Sequence, residues 1–313
     1  MLRDLLKGED AEIAAAVAQI AQTAPDILVL ANIDWDRGAA ALAALSNVLR
    51  DAGHAMPHSF TARPNRGVPS GMDLNGNGRL GDPEDAYGYG RFTGEGGMAV
   101  LSTQPIATEN VRDFTDLLWT DLPGAAAIAQ PGERLSTTVH WVVPLETVNG
   151  PLDLLVFHAT APVFDGPEDH NGWRNADEIR FWSAYLDGAF GPPSGHPVVL
   201  AGVANLDPVD GEGRPQAIKD LLARPDVQDP RPASEGGVAT ADPDHQGDPA
   251  LDTVDWPDGA PGNLRVAYIL PDARLTIRNA GVFWPADPDP ALFGEDGNAA
   301  GPHRIVWVDI TLP

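Results

Sequence analysis

Twelve residues in the first third of the chain have the spacing of a cation-binding loop: Asp73-Leu-Asn75-Gly-Asn77-Gly78-Arg79-Leu80-Gly-Asp82-Pro-Glu84. The run fits D-x-[DN]-x-[DN]-G-x5-E without a mismatch. Side-chain oxygens stand at loop positions one, three, five and twelve, the main-chain carbonyl at seven belongs to Arg79, and Gly78 permits the tight turn. Hard oxygen donors on that spacing suit Ca²⁺. Leu80 is expected to be the apolar anchor at position eight. Pro69 and Pro83 rule out long flanking helices, so the expectation is a stand-alone loop in which calcium is structural. Two Asn ligands lower the ligand charge and imply modest affinity. An Asn/Gly turn cluster is the alternative reading.

A second set of chemistry-bearing residues is scattered. His158 closes the apolar run Leu152–Phe157, Asn205 lies in Gly202-Val203-Ala204-Asn205-Leu-Asp207, and His303 lies in Gly301-Pro302-His303-Arg304. Histidine titrates near neutrality and hydrogen-bonds anions, but each of these alone reads as a satisfied polar residue. His170, Asn171 and His245 fall in loops and are candidates for a rim. Asp248, Asp252 and Asp255 read as turn and cap residues, and Trp173, Trp182, Trp256 and Trp284 as packing or pocket walls.

The elements that must position these groups come next. The 313 residues suit one large domain, 1–313, carrying the calcium-type loop at 73–84, and 43% hydrophobic residues can bury a substantial core. An alanine-rich helix is expected over about Glu9–Thr23, stopped by Pro25, and a second over Gly38–Asp51. Ile27-Leu-Val-Leu30 reads as a strand buried on both faces. Further strands are expected at Gly97–Leu101, Thr138–Val143, Leu152–His158, Val198–Val203, Leu264–Leu270, Leu275–Val282 and Ile305–Ile310, with helices at Asn175–Leu186 and Pro215–Leu222. Asp226–Ala260, rich in Pro, Asp and Gly, reads as a surface loop. Strands outnumber helices and long loops join them, which favours two packed mixed sheets with helices outside.

Composition excludes several classes. Forty-five acids against 20 bases give a net charge of −25, and Lys7 and Lys219 are the two lysines. Such a field repels nucleic acid. With no cysteine, disulfides, thiolate metals and cysteine nucleophiles are excluded. No apolar run reaches the roughly 18–20 residues that span a bilayer. The start, Met1-Leu-Arg-Asp4, lacks the apolar stretch of a secretory signal.

Six segments in order carry a resemblance: Pro25-Asp26-Ile-Leu-Val-Leu-Ala-Asn32-Ile-Asp34, Gly97-Met-Ala-Val-Leu-Ser102-Thr-Gln-Pro105-Ile106, Leu155-Val-Phe-His158, Gly202-Val203-Ala204-Asn205-Leu-Asp207-Pro208, Leu264-Arg-Val-Ala267-Tyr268-Ile-Leu and Gly301-Pro302-His303-Arg304. Together they resemble the endonuclease/exonuclease/phosphatase superfamily, which includes DNase I-like nucleases and sphingomyelinase-like phosphodiesterases. Pro162-Val-Phe-Asp-Gly-Pro, Asp248-Pro-Ala-Leu-Asp-Thr and Gly262-Asn-Leu-Arg-Val resemble a bacterial, often exported branch with the same calcium-like loop. The resemblance implies an α/β (α+β) fold, a four-layer α-β-β-α sandwich of two mixed sheets. It also implies an opening strand, usually central, where Met1 lies only a few residues ahead of the first helix; a start placed too late, a truncation and replacement of the strand by another segment are three readings that stay open.

The resemblance further implies hydrolysis of phosphate esters with Mg²⁺ or Mn²⁺ held by acids, a water-activating Asp and phosphate-contacting histidines. It puts the metal-binding Glu at Asn32, the G-D-x-N aspartate at Val203, the aspartate of a D-Y pair at Ala267 and the aspartate before the last histidine at Pro302. His158, Asn205 and His303 keep the family's residue types. Four acids are thus absent while their neighbours stand. Mg²⁺ sheds water reluctantly and needs carboxylates or substrate phosphates. The resulting expectation is a catalytically impaired pseudoenzyme with a binding role, its partner a small phosphate ester or a protein. The alternative is an active phosphoesterase that recruits Asp34, Asp36, Asp207 or Asp210.

Overall fold

In a computed structural model of the chain, residues 1–257 and 261–312 are described. The chain opens with a short helix, α1 (Leu2–Lys7), then α2 (Ala11–Thr23). Asp10 caps α2 by accepting the Ile13 amide at 3.0 Å, and Ala24 ends it in a left-handed conformation just before Pro25. Strand β1 (Ile27–Ile33) follows, then α3 (Ala40–Asp51), β2 (His58–Phe60), β3 (Gly97–Ser102), β4 (Arg112–Asp113), β5 (His140–Thr147) and β6 (Gly150–His158). After them come α4 (His170–Leu186), β7 (Val198–Val203), α5 (Gln216–Leu222), β8 (Ala267–Pro271), β9 (Thr276–Val282) and β10 (Val306–Thr311). The expected loop at Asp226–Ala260 holds a short helix at Glu235–Ala239 and a 3-10 turn at Pro249–Leu251; its residues 258–260 lie outside the described residues.

The strands form three groups: β1-β3-β2, the hairpin β10-β9, and a five-stranded sheet β4-β5-β6-β7-β8 in which β6 and β7 alone run parallel. Side chains from alternating faces divide the core into layers. Between the sheets, Met98 and Val100 of β3 meet Trp141, Val143, Leu154, Val156 and Val199. On the outer face of the first sheet, Leu28, Ala99 and Leu101 pack against Leu5, Val17, Ile20, Leu42, Leu45 and Leu49 of the helices. On the outer face of the second, Leu155, Phe157, Leu200 and Leu270 pack against Ile179, Phe181, Trp182 and Ile218 of α4 and α5. The order is helix, sheet, sheet, helix, as the resemblance implies.

Among the described residues no strand pairs with the second edge of β1 or of β10. The implied opening strand has no counterpart there. Instead α1 tucks Leu5 into the α3 side of the core.

Candidate functional site

Strand pairing assembles the site. His158 is opposite Val203 across the parallel β6–β7 ladder, and Val203 is opposite Ala267 across the antiparallel β7–β8 ladder. Partners in register point to one face, with strands spaced about 4.8 Å. His158, Val203 and Ala267 therefore stand in a row at the strand ends. His158 is buried, and burial, followed by the charges of Arg66 and His303, pushes its pKa down to about 3. At neutral pH it is neutral.

Asn205 follows β7 with a left-handed backbone (φ 51°), a conformation asparagine tolerates. Its Nδ2 donates to the Ala159 carbonyl at 2.8 Å and to His158 Nε2 at 3.3 Å. The carbonyl fixes which end of the amide faces the ring. Nε2 is thus the acceptor and Nδ1 carries the proton, and that buried Nδ1 has no partner. His303 is tied to the row through a bridge to Val254, which also bridges Leu264 ahead of β8. Its ring is exposed and stands edge-on to Trp256, centroids 5.6 Å apart. Burial among neighbouring atoms and the charge of Arg304 lower its pKa. Asn32 is the extra residue of a bulge in β1, φ 58°, between the pairs Ala31–Met98 and Ile33–Gly97. Pro302 adjoins His303 and accepts the Asp255 amide through its carbonyl.

Sequence reasoning missed Arg66. It comes from the long loop between β2 and β3, and its Nη1 lies 3.5 Å from Asn32 Oδ1. Its guanidinium is partly buried; burial lowers its pKa while the charges of Glu95 and Asp34 raise it, and arginine stays charged throughout. The local sequence Pro-Asn-Arg-Gly signals only a turn.

The residues do not fit a divalent cation. Asn32 offers a neutral oxygen, Val203, Ala267 and Pro302 offer none from their side chains, and the guanidinium already brings a positive charge to Asn32. Among the described residues no three His, Cys, Asp or Glu side chains are arranged to hold a metal. The acids considered as recruits have other tasks. Asp36 accepts the Gly38, Ala40 and Ala41 amides at the start of α3, which lowers its pKa. Asp34 accepts the Gly96 amide, Asp207 those of Val209, Asp210 and Arg265, and Asp210 those of Gln246 and Gly247.

The remaining candidates disperse. His170 bonds Glu133 at 3.0 Å and stands edge-on to Trp119. Asn171 donates to the Val163 carbonyl, and His245 sits 4.0 Å from Asp242. Trp182 is core, Trp173 is covered by Arg214 at 3.2 Å, and Trp284 lies under Arg304. Asp248 caps the turn at Pro249, and Asp255 pairs with Arg304 at 2.6 Å. Asp252 closes the same turn as its C-cap residue; it is buried, and burial with the nearby charges of Asp207, Asp210 and Asp248 raises its pKa to about 7 despite His245.

In the loop at 73–84, Asp73 Oδ1 and Asn75 Oδ1 both accept the Asn77 amide at 3.0 Å, Asp73 Oδ2 accepts the Gly78 amide at 2.8 Å, and Asn77 Oδ1 accepts that of Arg79 at 2.8 Å. Glu84 is exposed in a 3-10 turn, Pro83–Asp85. Leu80, expected as an anchor, is 68% exposed. The loop is held instead by Asp85, which is 2% exposed and accepts the amides of Leu74, Gly81 and Asp82. A buried carboxylate meets three backbone donors that an apolar side chain could not.

A three-stranded and a five-stranded sheet packed face to face with helices outside make this a phosphoesterase fold of the DNase I-like type. Residues 5–306 match the Endonuclease/Exonuclease/phosphatase family, and the chain belongs to that family. It is similar in structure to an endonuclease/exonuclease/phosphatase from Beutenbergia cavernae, 17% identical with a TM-score of 0.58 over 97% of this chain. The chain spans 66% of that protein's length, just under two thirds. A family protein from Leptotrichia buccalis gives 14% identity and 0.53, covering 96% of this chain and 93% of that one. The human Nocturnin catalytic domain with bound sulfate anion gives 16% and 0.52, covering 97% and 87%. No curated protein matches the chain.

Proposed function

We propose that the chain is a catalytically impaired member of its family whose cleft serves binding. The row His158–Val203–Ala267 carries this reading: the two positions beside the histidine hold side chains with no oxygen. Loss of a general base alone costs about 10²–10⁴-fold, and loss of the cation's stabilisation of phosphoryl charge adds to it. An active phosphoesterase would need acids from nearby; Asp36, Asp207 and Asp210 each accept two or more backbone amides, while Asp34 accepts that of Gly96 and lies 3.7 Å from the Met1 amino group. The partner is a small phosphate ester or a protein; a net charge of −25 disfavours nucleic acid. The loop Asp73, Asn75, Asn77, Arg79, Glu84 binds calcium as a structural clip.

Hydrolysis of bis-p-nitrophenyl phosphate with Mg²⁺ or Mn²⁺ tests the reading. The expected rate is that of buffer. Turnover by the unmodified chain that His158→Ala abolishes would overturn it.

A further inference from the structure

We propose that the hollow between residues 67–69 and 81–93 is a docking site for a proline-rich segment of a partner protein that carries a basic side chain. The hollow shares no residue with the row His158–Val203–Ala267 and stands independently of how that row is read.

The hollow measures about 280 Å³, with Pro69, Pro83, Phe92 and Asp82 among the residues that line it. Two buried glycines let its walls close up. A Cβ on Gly67 would lie 1.9 Å from the Phe92 carbonyl oxygen, and one on Gly90 would lie 2.6 Å from the Gly67 nitrogen. Backbone packed against backbone in this way fixes the segment that presents Phe92. Phe92 is 50% exposed; Tyr89, next to the lining residue Gly90, is 57% exposed, and Leu80, next to Gly81, is 68% exposed. Three large apolar side chains exposed together around a hollow mark a contact surface, where single ones would not.

The hydrogen bonds already made decide what kind of segment fits. The Gly67 amide is spent on the Gly88 carbonyl at 2.9 Å, the Gly67 carbonyl takes the Thr93 hydroxyl at 2.9 Å, and the Phe92 carbonyl takes the Glu95 amide at 3.1 Å. Pro69 and Pro83 have no amide to give. An added β-strand would find no ladder of free groups here. A polyproline II segment needs none, because its backbone stays in water while its rings fill a groove walled by aromatic side chains.

Charge then selects a basic segment. Residues 67–95 carry the acids Asp73, Asp82, Glu84, Asp85 and Glu95 against the bases Arg79 and Arg91, and Arg91 is already paired with Glu95 at 2.5 Å. Asp82 lines the hollow, and Glu84 stands exposed beside Pro83. An arginine of the partner meets these carboxylates and the exposed rings of Tyr89 and Phe92 together.

Fluorescence polarisation of a labelled oligoproline peptide with arginine at both ends tests the site. It is run on the full chain in EDTA, so that no cation neutralises the acids. Saturable binding is expected, and Phe92→Ala is expected to weaken it about fivefold. Tyr89→Ala should weaken it about threefold. Phe164→Ala removes an exposed ring outside the hollow and should change nothing. An oligoproline peptide with glutamate ends, and an oligoserine peptide with arginine ends, should each bind at least about tenfold more weakly. Absence of saturable binding, equal losses with Phe92→Ala and Phe164→Ala, or equal affinity for either control peptide would overturn the site. If Phe92→Ala fails to fold, Tyr89→Ala reads the same surface, and unchanged affinity there overturns the proposal.

Discussion

The loop at residues 73–85 and the cleft at the ends of β6, β7 and β8 treat acidic side chains in opposite ways. In the loop, Asp73 and Asp85 are present and each accepts more than one backbone amide. At the ends of β7 and β8, Val203 and Ala267 carry no acid, neither does Pro302 beside His303, and an arginine approaches Asn32. The chain has 45 acids against 20 bases, so the lack of acid in the cleft is local and not a matter of composition. An aspartate that satisfies backbone donors is needed whether or not a cation is bound.

The strongest way to break that contrast is at Asp85. Asp85→Ala leaves three amide donors of the loop without an acceptor, and we expect a loss of about 3 kcal/mol of stability, read as a shift in urea midpoint. Asp73→Ala, at an exposed position, should cost about 1 kcal/mol or less in metal-free buffer. Equal losses would mean that burial does not separate the two aspartates.

Calcium gives the next largest effect. With a dissociation constant of about 10⁻⁴ M, 1 mM Ca²⁺ would add about 1.4 kcal/mol, or about 2–4 °C in melting temperature. Chelation should remove that increment and Glu84→Gln should abolish the sensitivity. A melting curve indifferent to calcium would leave the loop as the Asn/Gly turn cluster that its sequence also allows.

Legibility followed the range of the interactions. Strand β7 was expected over Val198–Val203 and runs there, because a continuous apolar run buried in the middle of a sheet is a local signal. Strand β8 was expected from Leu264 but begins at Ala267, since Leu264 and Val266 are claimed by a small separate cluster with Val254. Helix α4 was expected from Asn175 and begins at His170, its first turns burying Arg174, Asn175, Asp177 and Glu178 in a polar network that periodicity does not register. Glu178 accepts the amides of Thr137 and Thr160, and Arg174 donates to the carbonyls of Leu135, Tyr87 and Arg134. Leu80 follows the loop pattern yet is exposed, because Asp85 does the anchoring. The residue types at Asn32, Val203, Ala267 and Pro302 were visible in the chain. That Arg66 would reach one of them depends on the small size of Gly96 and on two strands meeting, neither of which its own neighbours in sequence announce.

The smallest expected effect is also the most discriminating one for the cleft. Val203 lies between His158 and Ala267 and is partly exposed. Val203→Asp would place a carboxylate one strand from a neutral buried imidazole, and desolvation should cost about 1 kcal/mol in EDTA. Adding Ala267→Asp sets two like charges on neighbouring strands, which raises both pKa values and deepens the loss. Mg²⁺ relieves that repulsion only if it binds between them, so the double variant should melt higher with Mg²⁺ than without, while the unmodified chain should not respond. Magnesium stabilisation of the unmodified chain, with the calcium loop disabled by Glu84→Gln, would show that the cleft holds a cation without these acids, and the contrast with the loop would fail.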